Sequence, residues 1–177
     1  MSFLDFYSKP TRARLLIAFT DLTLFTRYCL AHPDEEVFNT IREYFLLHGQ
    51  IVEEAGGVVI KHMGDAALIA FPQERAEAGI LALKKLRDES DLWLRERGMR
   101  SRLQVKVHFG EAIVGEVGTP GWKRKDIYGE SVNLAATLPG SGFSMSPQAF
   151  RTLGPEARTF FKKHTPPITY IAREDSH

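Results

Sequence analysis

Two aspartates, Asp21 and Asp65, are the residues of this sequence whose positions best suit them to chemistry. The apolar run at residues 15–20 is typical of a strand buried on both faces, and it leads straight into Asp21. Asp65 ends a polar turn, residues 61–65, between two further apolar runs. If the first strand lies beside this hairpin, the two carboxylates converge at one edge of a sheet. Paired hard oxygen ligands suit Mg²⁺, and a pair of such ions supports in-line displacement at phosphorus.

A purely structural interpretation of the same aspartates remains open. One of them could cap a turn or a helix and the other could pair with Lys61, because aspartate beside glycine is ordinary turn chemistry. Spacing alone favours this interpretation. A carboxylate at the end of a buried strand still needs a partner, since burying an unpaired charge is costly.

Hydrophobic periodicity predicts the elements that must position these residues. One long helix starts at Asp34 and is stopped by the glycines at 56 and 57, and a second runs over residues 74–97. Strands are predicted at 15–20, 58–60, 66–71, 103–109, 111–117, 143 and 168–171, and shorter helices at 132–136 and 147–153. This order predicts an α+β sandwich with helices on one face of a largely antiparallel sheet.

Length and composition bound the class of protein. A chain of 177 residues with 44% hydrophobic and 25% charged residues is a single globular domain, and no apolar run approaches the ~18 residues of a membrane span. The balance of 23 basic against 22 acidic residues argues against a nucleic-acid or membrane partner. The single cysteine cannot form an internal disulfide and the amino terminus does not resemble a signal peptide, so we expect a cytoplasmic protein.

Three blocks of the sequence resemble the signature blocks of class III nucleotidyl cyclases, in the family's order and with near-family separations. They read FTDLTLFT at residues 19–26, GGVVIKHMGD at 56–65 and DIYGESVNLA at 126–135. The similarity extends from about residue 15 to 170, and the hairpin lacks the Gly-Gly-acid-acid-Phe turn of a diguanylate cyclase. The resemblance implies one cyclase homology domain over residues 1–177, with a ferredoxin-like core at about 13–172.

The resemblance assigns the two aspartates to metal binding. Asp21 and Asp65 would hold two Mg²⁺ or Mn²⁺ ions, and the carbonyl oxygen of Leu22 would be a further ligand. Phe25 would form part of the apolar wall near the nucleotide. The implied reaction is the conversion of ATP into 3′,5′-cyclic AMP and pyrophosphate by in-line attack of the ribose 3′-hydroxyl.

Other matching residues would bind the nucleotide. Lys61 and Asp126 match the pair that reads adenine in adenylyl cyclases, where guanylyl cyclases are expected to have glutamate and a cysteine-type residue, so ATP is the favoured substrate. Asn133 matches the asparagine that positions the ribose in the transition state. Lys162 stands at the spacing of the family's triphosphate-binding lysine, although Lys163 is adjacent and a solvated surface lysine is an equal interpretation.

Two arginines that the family uses are absent from the sequence. Thr137 occupies the position of the transition-state arginine, and Gln104 that of a phosphate-binding arginine. Loss of one preorganised donor typically lowers the rate by about 10²–10³-fold. Arg124 could compensate; Lys106 and the basic residues 123–125 could also attract phosphate, although each is more simply explained as charged surface.

These departures leave two functions open. The first is an adenylate cyclase with reduced or compensated activity, and the second is a catalytically degenerate cyclase homology domain that serves as a nucleotide-binding or regulatory module. Class III sites form between two catalytic domains, so the resemblance implies a head-to-tail homodimer with shared sites. A separate regulatory protein is a further possible partner, because no sensor domain is visible in the sequence.

Overall fold

The computed structural model describes residues 2–175, whose strands form one eight-stranded sheet. The strands are β1 (Thr11–Leu22), β2 (Val58–Met63), β3 (Ala66–Pro72), β4 (Leu103–Thr119), β5 (Trp122–Tyr128), β6 (Phe143–Met145), β7 (Phe161–His164) and β8 (Thr169–Ala172). Their order is β2-β3-β1-β4-β6-β8-β7, and β5 pairs with β4 off this path. The β4–β6 pair is parallel and the other pairs are antiparallel.

Two long helices and several short ones complete the fold. The helices are α1 (Phe25–Ala31), α2 (Asp34–Glu54), α3 (Ala76–Glu96), α4 (Glu130–Thr137), α5 (Pro147–Phe150) and α6 (Pro155–Arg158). Acidic residues fill the first turn of α2, where they favour a helix amino terminus. Among the helices of residues 2–175, none combines the length and apolar character needed to cross a bilayer.

The sheet has an apolar core on each face. Alternate residues of β1 point to opposite faces: Leu16 and Ala18 pack with α2 and α3, whereas Leu15 and Ile17 pack with α4. The predicted α+β sandwich with a mostly antiparallel sheet is therefore confirmed. The two long helices share one face, as predicted, and the short α4 covers part of the other, because strands that are apolar on both faces need cover on both.

Strand β4 is continuous, where the sequence predicted two strands separated at Gly110. In the structure Gly110 pairs with Leu15 of β1, so the strand does not break there. A Cβ atom at this glycine would lie 2.3 Å from Oγ of Ser131. The glycine therefore permits the close approach of α4 to the sheet.

Four of these elements, among them the short helix α6, were not predicted from the sequence. No strand was predicted at residues 122–128, yet β5 forms a hairpin with the far end of β4. Strand β7 and helix α1 were also missed, and no side chain of α1 is fully buried. Each is short or mostly polar, so its apolar periodicity is weak.

A buried polar pair joins two turns of α2. Nε2 of His48 lies 2.9 Å from the hydroxyl of Tyr44, and both side chains are almost fully buried. Nδ1 of His48 has no hydrogen-bond partner within residues 2–175. Burial, with a smaller contribution from the neighbouring His62, lowers the pKa of His48 to about 3. The imidazole is therefore neutral in the folded protein at neutral pH.

We predict that His48 contributes to acid destabilisation. Below about pH 6.5 the unfolded chain protonates this histidine and the folded chain does not, so the free energy of unfolding falls as the pH falls, by up to about 1.4 kcal/mol per pH unit. The free energy of unfolding, measured with urea at several pH values between 7.5 and 5, should depend less steeply on pH in His48→Gln than in the wild type. Equal slopes for the two proteins would contradict the prediction.

Candidate functional site

The strand register places Asp21 on the face of the sheet opposite α2 and α3. Asp21 is paired with Gln104 of β4, and the preceding Thr20 is paired with Ala67 of β3. Its neighbour Leu22 packs in the core beneath the long helices. Because successive side chains alternate, Asp21 points away from that core and is exposed.

Asp65 reaches the end of β1 from the turn of the β2–β3 hairpin. Gly64, which precedes it, has φ +67°, a backbone conformation that glycine adopts without strain. Oδ2 of Asp65 accepts a hydrogen bond of 3.2 Å from the backbone N–H of Leu22. This contact joins residues 43 positions apart and brings together the two carboxylates that the sequence predicted to converge.

The electrostatics of this pair suit a cation. Partial burial of the carboxylate raises the pKa of Asp21, the negative charge of Asp65 raises it further, and Lys106 acts in the opposite direction. Carboxylate oxygens, with the nearby carbonyl of Leu22, are the hard ligands that Mg²⁺ and Mn²⁺ prefer. Residues 2–175 contain no cluster of three or more His, Cys, Asp or Glu side chains that could hold a metal. A cation here would take its other ligands from the backbone, water or a bound anion.

The other predicted pair, Lys61 and Asp126, forms a direct ion pair. Nζ of Lys61 lies 2.7 Å from Oδ2 of Asp126, whose side chain is fully buried. The sequence placed Lys61 in a turn and predicted no strand at Asp126, but they lie on β2 and β5, which pair with β3 and β4.

The surroundings of Asp126 hold its carboxylate in place. Oδ1 accepts a hydrogen bond of 2.8 Å from the N–H of Ile127, and Oδ2 lies 3.4 Å from the hydroxyl of Tyr128 and 3.7 Å from Nη2 of Arg124. The ammonium of Lys61 lies 5.5 Å from the centre of the Tyr128 ring. The pair thus presents a donor and an acceptor side by side beneath an aromatic ring.

Helix α4 carries Asn133 and Thr137 on its exposed surface. Oγ1 of Thr137 donates a hydrogen bond of 2.9 Å to the carbonyl oxygen of Asn133, one turn earlier. The side-chain amide of Asn133 makes no hydrogen bond with any of residues 2–175. The hydroxyl of Thr137 is therefore hydrogen-bonded within α4, whereas the side chain of Asn133 is accessible to a ligand or a partner.

Phe25 and Lys162 do not line the cavity beside Asp21. Phe25 begins α1 and packs, partly buried, against the core beneath the long helices; its ring stacks on Tyr28 with centroids 6.0 Å apart. Lys162 is on the edge strand β7, and its Nζ donates a hydrogen bond of 2.6 Å to the carbonyl oxygen of Asp175. Their assigned contacts with a nucleotide stay predictions.

Lys106 lies beside the aspartates, although the sequence favoured a surface role for it. A cavity of about 200 Å³ is lined by Asp21, Lys106 and their neighbours Phe19, Thr20, Ala66, Gln104 and Ala136. The alternation of β4 predicts that this lysine points away from the core. Its proximity to Asp21 depends on the β1–β4 register, which the alternation alone does not give.

Comparisons with known proteins identify relatives of this chain. The chain is 29% identical over 135 residues to an adenylate cyclase of Anabaena cylindrica, an alignment that covers 72% of this chain and 27% of the relative. The chain thus spans about a quarter of that relative's length.

Solved structures show the same fold. A bacterial light-regulated adenylyl cyclase superposes with a TM-score of 0.81 at 20% identity, over 95% of this chain and 53% of that one. The guanylyl cyclase Cya2 superposes with a TM-score of 0.78 at 19% identity, over 93% of each chain. The sequence profile of the adenylate and guanylate cyclase catalytic domain matches residues 7–146, a stretch that includes both carboxylates and the Lys61–Asp126 pair. The chain belongs to the family of adenylate and guanylate cyclase catalytic domains.

Proposed function

We propose that this chain is an adenylate cyclase domain that converts ATP into 3′,5′-cyclic AMP and pyrophosphate. The observation that carries the proposal is the convergence of Asp21 and Asp65, joined by the hydrogen bond to Leu22, on an open face of the sheet. Two adjacent carboxylates that are in no ion pair within residues 2–175 can bind divalent ions and, through them, a triphosphate.

Different residues of the chain would bind the metal ions and position the ribose. The carboxylates of Asp21 and Asp65 would hold two Mg²⁺ or Mn²⁺ ions, with the carbonyl of Leu22 as a further ligand. When bound, these ions would lower the pKa of the ribose 3′-hydroxyl and neutralise charge on the triphosphate. The 3′-oxygen bonds to the α-phosphorus as the bond to the bridging oxygen of the β-phosphate breaks, and the hydroxyl proton passes to solvent. Asn133 would hold the ribose in line for this attack.

The Lys61–Asp126 pair supports adenine as the base. Lys61 can donate to the ring nitrogen N1 of adenine, and Asp126 can accept from the exocyclic amine. Guanine presents an N–H and a carbonyl oxygen at the corresponding positions, which would oppose a donor to a donor and an acceptor to an acceptor. The hydrogen bond from Ile127 would keep the Asp126 carboxylate in position when Lys61 turns to the base.

We predict that Asp126→Asn shifts the preference from ATP toward GTP. The amide offers a donor to the carbonyl oxygen of guanine and loses the charged acceptor for adenine. The ratio of ATP to GTP turnover should fall by at least about tenfold, since a hydrogen bond to a charged group contributes about 1.5–3 kcal/mol. A product assay with ATP, GTP, CTP and UTP, with Mg²⁺ and with Mn²⁺, measures this ratio.

The matched control for this substitution is Glu116→Gln. Glu116 lies on the neighbouring strand β4, is paired with Lys125 at 3.4 Å, and loses the same charge when amidated. It should keep the wild-type nucleotide preference. Wild-type preference for GTP, or equal ratios in Asp126→Asn and the wild type, would contradict the assignment of this pair to the base.

The dispersal of the assigned residues within one chain supports a shared site. Lys162 lies on β7, several strands from the aspartates, and the amide of Asn133 is accessible on α4. In a head-to-tail homodimer, one chain would supply Asp21 and Asp65 and its partner would supply the residues for base and ribose.

We predict that two inactive variants restore activity when mixed. Asp65→Asn keeps an acceptor for the N–H of Leu22 but removes a carboxylate charge, and Asn133→Ala removes the group for the ribose. Random exchange of subunits would give about a quarter of the wild-type sites, because half of the dimers are mixed and each has one intact site. Cyclic AMP production by the mixture measures this.

The control mixture combines Asp65→Asn with Asp21→Asn. Both substitutions damage the same half of the site, so no combination of these chains contains an intact site and the mixture should stay inactive. The shared site would be excluded if the wild type is dimeric and active but the mixture of Asp65→Asn and Asn133→Ala is as inactive as each variant alone.

The residues at 104 and 137 favour a second candidate function, a nucleotide-binding or regulatory module. Thr137 is bonded to its own helix and Gln104 is uncharged, so neither replaces an arginine by itself. Binding of ATP with Mn²⁺ but no cyclic product over hours would identify the chain as such a module.

A further inference from the structure

Lys106 lies where its side chain can reach Asp21 and the cavity beside it. In the β1–β4 register, Gln104 faces Asp21 and Lys106 faces Phe19, so Lys106 is the diagonal neighbour of Asp21 on the same face. Diagonal neighbours in antiparallel strands are about 7–8 Å apart, within the reach of a long side chain. Lys106, Gln104 and Asp21 line one cavity of about 200 Å³.

The charge of Lys106 acts on the site without being neutralised. It lowers the pKa of Asp21, against the effects of burial and of Asp65. Within residues 2–175 its ammonium is in no ion pair; Nζ donates one hydrogen bond of 3.3 Å to the carbonyl oxygen of Ala136, in the last turn of α4. An ammonium group has three donors, so this contact leaves donors for another acceptor.

Nearby cations are already held by carboxylates. Lys61 and Arg124 lie within 4 Å of Asp126, and Lys125 lies 3.4 Å from Glu116. Binding a phosphate with any of them would require an existing ion pair to weaken. Lys106 needs to give up only the contact with a backbone carbonyl.

We infer that Lys106 binds the triphosphate of the nucleotide and supplies the positive charge that the glutamine at position 104 does not. Lysine binds phosphate as a compact point charge, and it can do so from two residues further along the same face of β4. This inference rests on the proposed function, since it takes a nucleoside triphosphate at Asp21 and Asp65 as the ligand.

The test compares ligands with and without phosphates. The probes are 3′-deoxyATP, which cannot be cyclised, and 3′-deoxyadenosine, both in the presence of Mn²⁺, with affinities measured by calorimetry or competition. Lys106→Met should lower the affinity for 3′-deoxyATP by about 10–100-fold, the range expected when a hydrogen bond to a charged group is lost. Its affinity for 3′-deoxyadenosine should stay within about twofold of the wild type.

A control and a rescue sharpen this test. Lys85→Met removes a charge of the same kind from an exposed position on α3, on the opposite face of the sheet, and should leave both affinities unchanged. Lys106→Met combined with Gln104→Arg places a cation back on the same face of β4 and should recover most of the lost 3′-deoxyATP affinity.

The possible failures are distinguishable. Wild-type protein that binds no 3′-deoxyATP would contradict the proposed function itself. If the wild type binds 3′-deoxyATP and Lys106→Met binds it equally well, the role of Lys106 is overturned and the proposed function stands. The same holds if the substitution lowers the affinities for 3′-deoxyATP and 3′-deoxyadenosine equally.

Discussion

The hydrogen bond from the backbone of Leu22 to the carboxylate of Asp65 is the contact on which the site depends. It ties the turn of the β2–β3 hairpin to the end of β1 and holds two acidic side chains together against their mutual repulsion. The sheet keeps this arrangement in place, because β1 pairs with β4 along its whole length and with β3 over residues 15–20. The position of the carboxylates is thus set by backbone geometry, before any ligand arrives.

The division of the sheet into two faces explains why the site is open. The long helices α2 and α3 bury one face, whereas the short α4 covers only part of the other. Asp21, Gln104 and Lys106 lie on this second face, beside the cavity that α4 leaves. The same face carries α4 with the exposed Asn133.

Much of the fold and of the site could be predicted from the sequence. The apolar runs identified β1, β3 and both long helices, because burial imposes regular periods on them. The three family blocks identified Asp21, Asp65 and the Lys61–Asp126 pair, and the structure brings the members of each pair together.

What could not be predicted depends on strand register and on local context. The continuity of β4 through Gly110 is set by its pairing with β1, and a glycine read in isolation suggests a break. The proximity of Lys106 to Asp21 likewise follows from a pairing between residues far apart in the chain. The engagement of Lys162 with Asp175 involves a carboxy-terminal segment that carries no sequence motif.

The most direct test of the account is the thermal stability of the wild type and Asp21→Asn at pH 7.5, with and without Mn²⁺ and 3′-deoxyATP. Because the pKa of Asp21 is raised in the folded state, its ionised form destabilises the metal-free protein above that pKa, and this effect is relieved as the pH falls through it. Without metal, the variant should melt at a higher temperature than the wild type. With Mn²⁺ and nucleotide, the wild type should gain several degrees and the variant much less. Equal gains in the two proteins would contradict the claim that Asp21 and Asp65 form a cation site.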